Sequence, residues 1–400
     1  MKTSQSPRRY DPVVDELVEQ AAERMWGVYP GYQPERFDRS ELDPAIRANI
    51  ELAVAALGQG RGPTLAELEP ARALGAARAD QSVPLESIIQ AYRQTERVIV
   101  LDFLQRSREW PHEEANRATA LLISVFDELT DAMIGSYRDT SSAREAARRQ
   151  VENEVVAALA DGIDSDSTRF DRWVRLLDVD EDGCWTAAAL RGRPGDSGEP
   201  AVPQRQVLLR QLASDVDDVI CGELNNTLVL LLRTRDRQDQ VEQVLAAAMA
   251  GIGQAAPLAC GLGTATASLR TAAQSCRQAL ASLRVSASPA WTGVPVVDYR
   301  DVVVETMLLA DPLAAEALHA SRIAPLEPHP YLIETLEALA DDHLSQAATA
   351  RRLFVHLNTI GHRLHRIREI TGLDPLRFPD VLEFSLALRW RKIRATDPTP

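Results

Sequence analysis

Apolar residues recur at helical spacing throughout residues 11–137. Val13, Val14, Leu17 and Val18 form one stripe, and Ile46, Ile50, Ala53, Val54 and Leu57 form another that stops at Gly58. Val83-Pro84-Leu85-Glu86 opens a helix with proline near its first turn. That helix runs through Leu104 on Ile88, Ile89, Tyr92, Val98, Ile99 and Leu101, and Pro111 ends it. Ala118, Leu121, Leu122, Val125, Phe126, Leu129 and Met133 mark a further helix. No alternating run competes, so this region is predicted to be an all-α bundle.

Residues 138–162 change character. Arg144, Glu145, Arg148, Arg149, Glu152 and Glu154 surround Val151, Val155 and Leu159, and Gly162 is a stop. This is predicted to be a linker helix whose apolar side is covered either by its copy in a dimer or by its own domain.

Residues 163–322 mix the two periods. Cys184–Leu190 reads as a strand, followed by the loop RGRPGDSGEP. A helix over Pro203–Ser214 follows, then two β-prone runs, Asp218–Cys221 and Thr227–Leu232, around a hairpin at Gly222–Asn226. A helix over Gln238–Ala250, a strand over Leu258–Gly263, a helix over Ala267–Leu283 and a strand over Val296–Tyr299 complete an α/β sandwich on a mixed sheet. Asp301–Ser321 is helical. Pro325, Pro328 and Pro330 mark a boundary, and residues 328–395 are all-α. The expected fold class is therefore multidomain and mainly α, with a central α/β domain.

Composition narrows the function. The formal charge of −14 argues against a chain that coats nucleic acid everywhere. From Tyr331 to Pro400, however, ten Lys/Arg stand against nine Asp/Glu, and Ser345–Arg368 holds five arginines and no acid. A local cationic face on an acidic chain points to focused contact with double-stranded DNA. The four cysteines form no C-x-x-C pair, as expected of buried thiols in a reducing cytoplasm. The N-terminal MKTSQSPRRY lacks an apolar core for a signal peptide, and no run is apolar enough to span a membrane. A cytoplasmic location is expected.

The chemistry concentrates in SQAATARRLFVHLNTIGHRLHRIREIT, Ser345–Thr371. Ser345 is placed to cap a short helix, Phe354-Val355-His356 forms a turn, and Asn358 is expected to cap a second helix that Gly372 ends. At about 100° per residue, Ile360, Leu364 and Ile367 share one face. Asn358, His362, His365 and Arg366 lie opposite, with Thr359 and Arg363 on a flank. Asn, His and Arg present donors and acceptors suited to purine edges in the major groove, and Ser345, Gln346 and Arg351 or Arg352 suit phosphate. His356 and Leu357 complete the expected DNA-binding set. His362 and His365 lack an acid partner at metal spacing, so no metal is expected. Asp178–Gly183 begins like an EF-hand loop, but its twelfth position is Ala189, so it reads as a polar turn.

Val355-His356-Leu357-Asn358-Thr359-Ile360-Gly361-His362-Arg363-Leu364, followed by Ile367, Glu369 and Thr371-Gly372-Leu373, resembles the C-terminal helix-turn-helix of the PucR/CdaR family of bacterial transcription regulators. That motif reads approximately V-H-R-N-T-L-x-Y-R-L-x-x-I-x-x-L-T-G-L. Leu357 replaces its arginine and His362 its aromatic, two differences at positions expected to face DNA. The middle region is similar to the GGDEF-like domain such regulators carry without cyclase activity. Its hairpin reads Leu224-Asn225-Asn226-Thr227-Leu228, without the carboxylates that hold Mg²⁺ in cyclases. The N-terminal region, with Val83-Pro84-Leu85 and Ala91-Tyr92-Arg93, resembles the helical sensory domain of RsbR-like stress proteins.

The resemblance implies a DNA-binding regulator, not an enzyme, with no cofactor and with a small-molecule or protein effector. A homodimer or higher homo-oligomer is expected, because one short helix reads too few bases. The alternatives are nucleotide turnover of the diguanylate cyclase type by the middle domain, and a stress-signalling scaffold acting through the N-terminal bundle.

Overall fold

The computed structural model describes residues 10–35, 38–162, 168–192, 205–234, 238–251, 258–291 and 293–394. The expected loop from residue 193, Pro203 and the N-terminal segment 1–9 lie outside these residues. The chain divides into two compact units, Met1–Ala147 and Arg148–Pro400.

The first unit is all-α, as its periodicity predicts. It comprises α1 (Val14–Glu23), α2 (Arg39–Gln59), α3 (Glu69–Asp80), α4 (Leu85–Arg106) and the first part of α5 (His112–Asp161). Its core packs Leu17, Ile46, Ile50, Ile88, Ile99, Phe103, Leu122, Phe126 and Met133. Phe103 is edge-on to both Tyr10 and Trp110 at 5.3 and 5.4 Å, and the Tyr10 hydroxyl donates to Asp102 at 2.7 Å. Three expectations change. Gly58 lies inside α2, which ends instead at Gly60 in a left-handed conformation. Leu101 is exposed, and Phe103 takes the core position. Helix α3 lies where the apolar periodicity predicts no helix.

The second unit begins within α5. Val155, Val156 and Leu159 are buried, and Val151 packs against them, on α6 (Thr168–Leu177) and one face of the sheet. The stripe that dimer pairing needs is therefore covered by the helix's own domain. At Gly222 an added Cβ would lie 2.7 Å from Val156 Cγ2 and 2.9 Å from the Glu152 carbonyl, so glycine lets α5 lie directly on the strand.

Six strands form the sheet: β1 (Asp182–Gly192), β2 (Asp218–Leu224), β3 (Thr227–Thr234), β4 (Leu258–Leu262), β5 (Thr266–Ser268) and β6 (Val296–Asp298). The order is β2-β3-β1-β4-β6, with β5 on β1. Among the described residues only the β4–β6 pair is parallel. Trp185, Ala187 and Ala189 face α5, α6 and α9 (Ala273–Ser286). Ala188 and Leu190 face α7 (Arg205–Leu212) and α8 (Gln238–Gly251). Both faces are covered, which is why Cys184–Leu190 reads as an apolar run, broken by Thr186 alone, and not as an alternating one. The hairpin turns in two residues rather than five: Asn225 and Asn226 both have positive φ (48° and 58°), the type I′ geometry that asparagine tolerates. The helix expected over Ala267–Leu283 is divided into β5, a 3₁₀ turn and α9.

Asp301–Ser321 is two helices, α10 (Val303–Ala310) and α11 (Pro312–Arg322), because Pro312 starts a new helix capped by Asp311. The last four helices are α12 (Pro330–Asp341), α13 (Gln346–Arg352), α14 (Leu357–Thr371) and α15 (Phe378–Arg394). The prolines near residue 328 do not isolate this end. Trp390 and Ile393 of α15 share a cluster with Val285, Val297, Val302 and Ala315. Arg389 binds Glu305, and the Trp390 indole donates to Glu316 at 2.8 Å.

Candidate nucleic-acid interface

The segment Ser345–Gly372 folds as two helices joined at a turn. Ser345 Oγ accepts from the Ala348 amide at 3.3 Å and so caps α13. Val355 N–H bonds Ala350 carbonyl at 3.0 Å, and Phe354 N–H bonds Arg351 carbonyl at 3.2 Å, a Schellman ending. Val355 then packs into the small core with Ala350, Leu336, Ile360, Leu364 and Ile367. Gly372, at φ 73°, ends α14 as expected.

The cap of α14 is not Asn358. His356 is the N-cap, and its Nδ1 accepts the Asn358 amide at 3.2 Å. A ring nitrogen one residue upstream of the helix supplies the acceptor, which leaves the Asn358 carboxamide out of the capping. Asn358 and His362 are exposed on the face opposite the buried Ile360, Leu364 and Ile367, and neither side chain is hydrogen-bonded among the described residues. Leu357 is also exposed, at the first position of α14, while Thr359 is half-buried.

The arginines differ from the simple outward picture. Arg363 is half-buried: its Nη1 donates to Thr335 Oγ1 at 3.0 Å, and its guanidinium lies 5.3 Å from the Tyr331 ring centre. Its position on the flank lets it reach α12, so it fastens α14 rather than projecting with Asn358. Arg352 is held by Asp342 at 2.6 Å, Arg366 by Glu369 at 2.8 Å and Arg368 by Asp374 at 3.4 Å. Arg351 is exposed and makes no ion pair among the described residues. The cationic run is thus partly neutralised by acids from outside it and from the end of α14. The Arg366–Glu369 pair is exposed and weak, so exchange of Glu369 for phosphate is cheap, whereas Asp342 beside Arg352 is largely buried. Arg366 and His365 hold the Glu369 carboxyl below the usual carboxylate range, chiefly through the Arg366 hydrogen bond.

Elsewhere the chemistry is quiet. Burial pushes the Cys221, Cys260 and Cys276 thiols up to about 12, as expected of packing residues. Among the described residues no group of three or more His, Cys, Asp or Glu is arranged to hold a metal, and no helix is long and apolar enough to cross a membrane. Asp178–Gly183 leads into β1, with Glu181 bound to Arg270 at 2.8 Å.

Two features had no signal in the sequence. Phe354, at the turn, is 96% exposed. In the first unit, a cleft of about 660 Å³ is lined by Tyr10, Val14, Glu51, Val54, Leu57 and Trp110, among others, which come from separate segments.

Three family profiles match the chain. The RsbT co-antagonist protein RsbRD N-terminal domain covers residues 15–174, a GGDEF-like domain covers 160–285, and the PucR C-terminal helix-turn-helix domain covers 332–390. Uncharacterized proteins of Mycobacterium tuberculosis and Mycobacterium bovis are 29% identical over 311 residues, 72% of this chain and 68% of theirs. The carbohydrate diacid regulator of Escherichia coli is 38% identical over 81 residues, 20% of this chain and 19% of its own. Among solved structures, the regulator of polyketide synthase expression from Bifidobacterium adolescentis is 21% identical. That alignment covers 61% of this chain and 93% of that one, with a TM-score of 0.34.

Proposed function

We propose that this chain, whose segments match the profiles of PucR-type transcription regulators, binds specific sequences of double-stranded DNA through α14, as a cytoplasmic homodimer. The observation that carries this reading is the outer face of α14. Asn358 and His362 stand exposed and uncommitted beside a helix whose inner face is fully buried. They are the base readers of this proposal. Ser345, Gln346 and Arg351 take phosphate, and Arg366 joins them by exchanging Glu369 for a phosphate oxygen. Two copies are needed because one helix reads too few base pairs for specificity.

The first unit is assigned to sensing. Its cleft of about 660 Å³ falls within the range of small-molecule sites. The central sheet serves as a scaffold. Its hairpin turns on Asn225 and Asn226, and neither turn position carries a carboxylate.

Selection of duplexes from a random pool by the full chain tests the proposal. An enriched, two-fold symmetric motif is expected. Asn358→Ala and His362→Ala should each cost about 1–3 kcal/mol at one position of that motif. A pool that yields no motif, or variants that bind it with unchanged affinity and preference, would defeat the assignment.

A further inference from the structure

Phe354 occupies the left-handed position that follows α13, with φ at 54°. Helices ending in this hydrogen-bond pattern favour glycine there, because a Cβ clashes with the backbone. Phenylalanine bears that conformational cost and recovers nothing by packing, since it is 96% exposed. Its neighbour Val355 already supplies the apolar contact that completes the turn.

Two nearby positions are equally poor choices for the fold alone. Leu357, the first residue of α14, is 48% exposed. Gly361, one turn further along, is an exposed helix-interior glycine, and an added Cβ would meet nothing within 4 Å. No close neighbour requires glycine there, and alanine would make a better helix. The start of α14 therefore presents two large apolar side chains and a helix surface left bare, beside the polar readers Asn358 and His362. A partner for this strip must offer small apolar groups next to hydrogen-bonding edges. On the major-groove edge of DNA the thymine 5-methyl group is that feature.

We propose that Phe354 and Leu357 read thymine 5-methyl groups, with Gly361 leaving room for the base-pair edges to approach the helix. The inference rests on the DNA-binding reading above, and it adds the base type that this edge of the interface selects.

The test uses the full chain and a duplex it selects from a random pool. Each thymine is replaced in turn by deoxyuridine, which removes the 5-methyl group and leaves every hydrogen-bonding atom in place. At one or two positions per half-site the unaltered chain should bind about fourfold more weakly, the worth of one buried methyl. Phe354→Gly should abolish the difference at one of these positions and weaken binding to the thymine duplex, while its thermal midpoint equals or exceeds that of the parent. Leu357→Ala should abolish the difference at the other. The proposal is overturned if the duplex is bound and no thymine methyl matters, or if Phe354→Gly keeps the full preference for thymine. A lower thermal midpoint in Phe354→Gly also overturns it, because Phe354 would then serve the fold. If the chain selects no duplex, the DNA-binding reading fails and this inference falls with it.

Discussion

Past Arg148, helix α5 carries Val151, Val155 and Leu159 along one side and charged residues around the rest. Helix α14 carries Ile360, Leu364 and Ile367 in the same way, with arginines and histidines around them. In both, the apolar stripe is buried within the chain's own second unit. The polar residues separate them. In α5 a charge follows the stripe inward: Glu152 is 2% exposed, bonded to Arg148 at 3.2 Å and to Arg205. In α14 the Asn358 and His362 side chains stay outside without hydrogen-bond partners among the described residues, and Glu369 is an exposed acid held by Arg366. An apolar stripe thus says that a helix is covered, and the fate of its polar residues says whether anything remains to offer another molecule.

The strongest way to break this contrast is Val156→Asp. Val156 is fully buried beneath Gly222. An aspartate there has no partner, and a loss of about 3–5 kcal/mol is expected in a urea melt. Asn358→Ala, on the outer face of α14, should change stability by less than about 0.5 kcal/mol. If Val156→Asp instead keeps its melt and dissociates a dimer, this face of α5 belongs to a partner copy.

Glu152→Ala sharpens the contrast next. It strands Arg205 and Arg148 beside the sheet. Removing one member of a buried pair costs about 3–5 kcal/mol when the other is sealed from water. Arg148 and Arg205 retain access to solvent, so about 2 kcal/mol is expected in the same urea melt. A change below about 0.5 kcal/mol would make Glu152 equivalent to a surface carboxylate.

Much of this architecture is legible in the residues themselves. The α14 stripe, the Ser345 cap, the Gly372 ending and the hairpin strands all follow from local spacing. Helix α3 was hidden because it buries Ala71, Gly75 and Ala79, small residues that make no apolar stripe although they share a face. The break at Asp311-Pro312 is masked by the apolar run that continues across it, although the Asp-Pro pair itself marks a helix start. The hold on Arg363 was not readable, since Thr335 and Tyr331 lie on another helix. The arginine run read as bare for the same reason: Asp342 and Asp374 lie just outside it and fold back onto it. The cleft in the first unit needs residues from Tyr10 to Ala118 to meet, and no local pattern announces that.

A subtler test uses acid. His319 is buried beside α15, with Arg394, Glu316 and Glu327 around it. Burial, aided by Arg394, lowers its pKa below the usual histidine value. The folded form therefore resists a proton that the unfolded chain accepts below about pH 6.5. Stability of the second unit should fall as pH drops through that value, with the fall ending near the lower folded pKa. Urea midpoints at pH 7.5 and 5.5 check this, and His319→Gln should flatten the dependence. An unchanged slope in that variant would remove His319 from the account.

The smallest effect on folding, and the most telling for α14, belongs to Glu369→Gln. Its carboxylate is exposed and bonded to Arg366, so its loss should leave the urea midpoint essentially unchanged. Binding should move the other way from ordinary surface damage. The substitution frees Arg366 and removes a negative charge that would face phosphate, so affinity for the selected duplex should rise about threefold at low salt. The gain should shrink as salt screens the charges. A parallel rise on every duplex would mark Arg366 as a phosphate contact, and a rise confined to the selected duplex would mark it as a base reader. Unaltered binding at low salt would separate the C-terminal end of α14 from the interface and leave recognition to the edge that begins at Phe354.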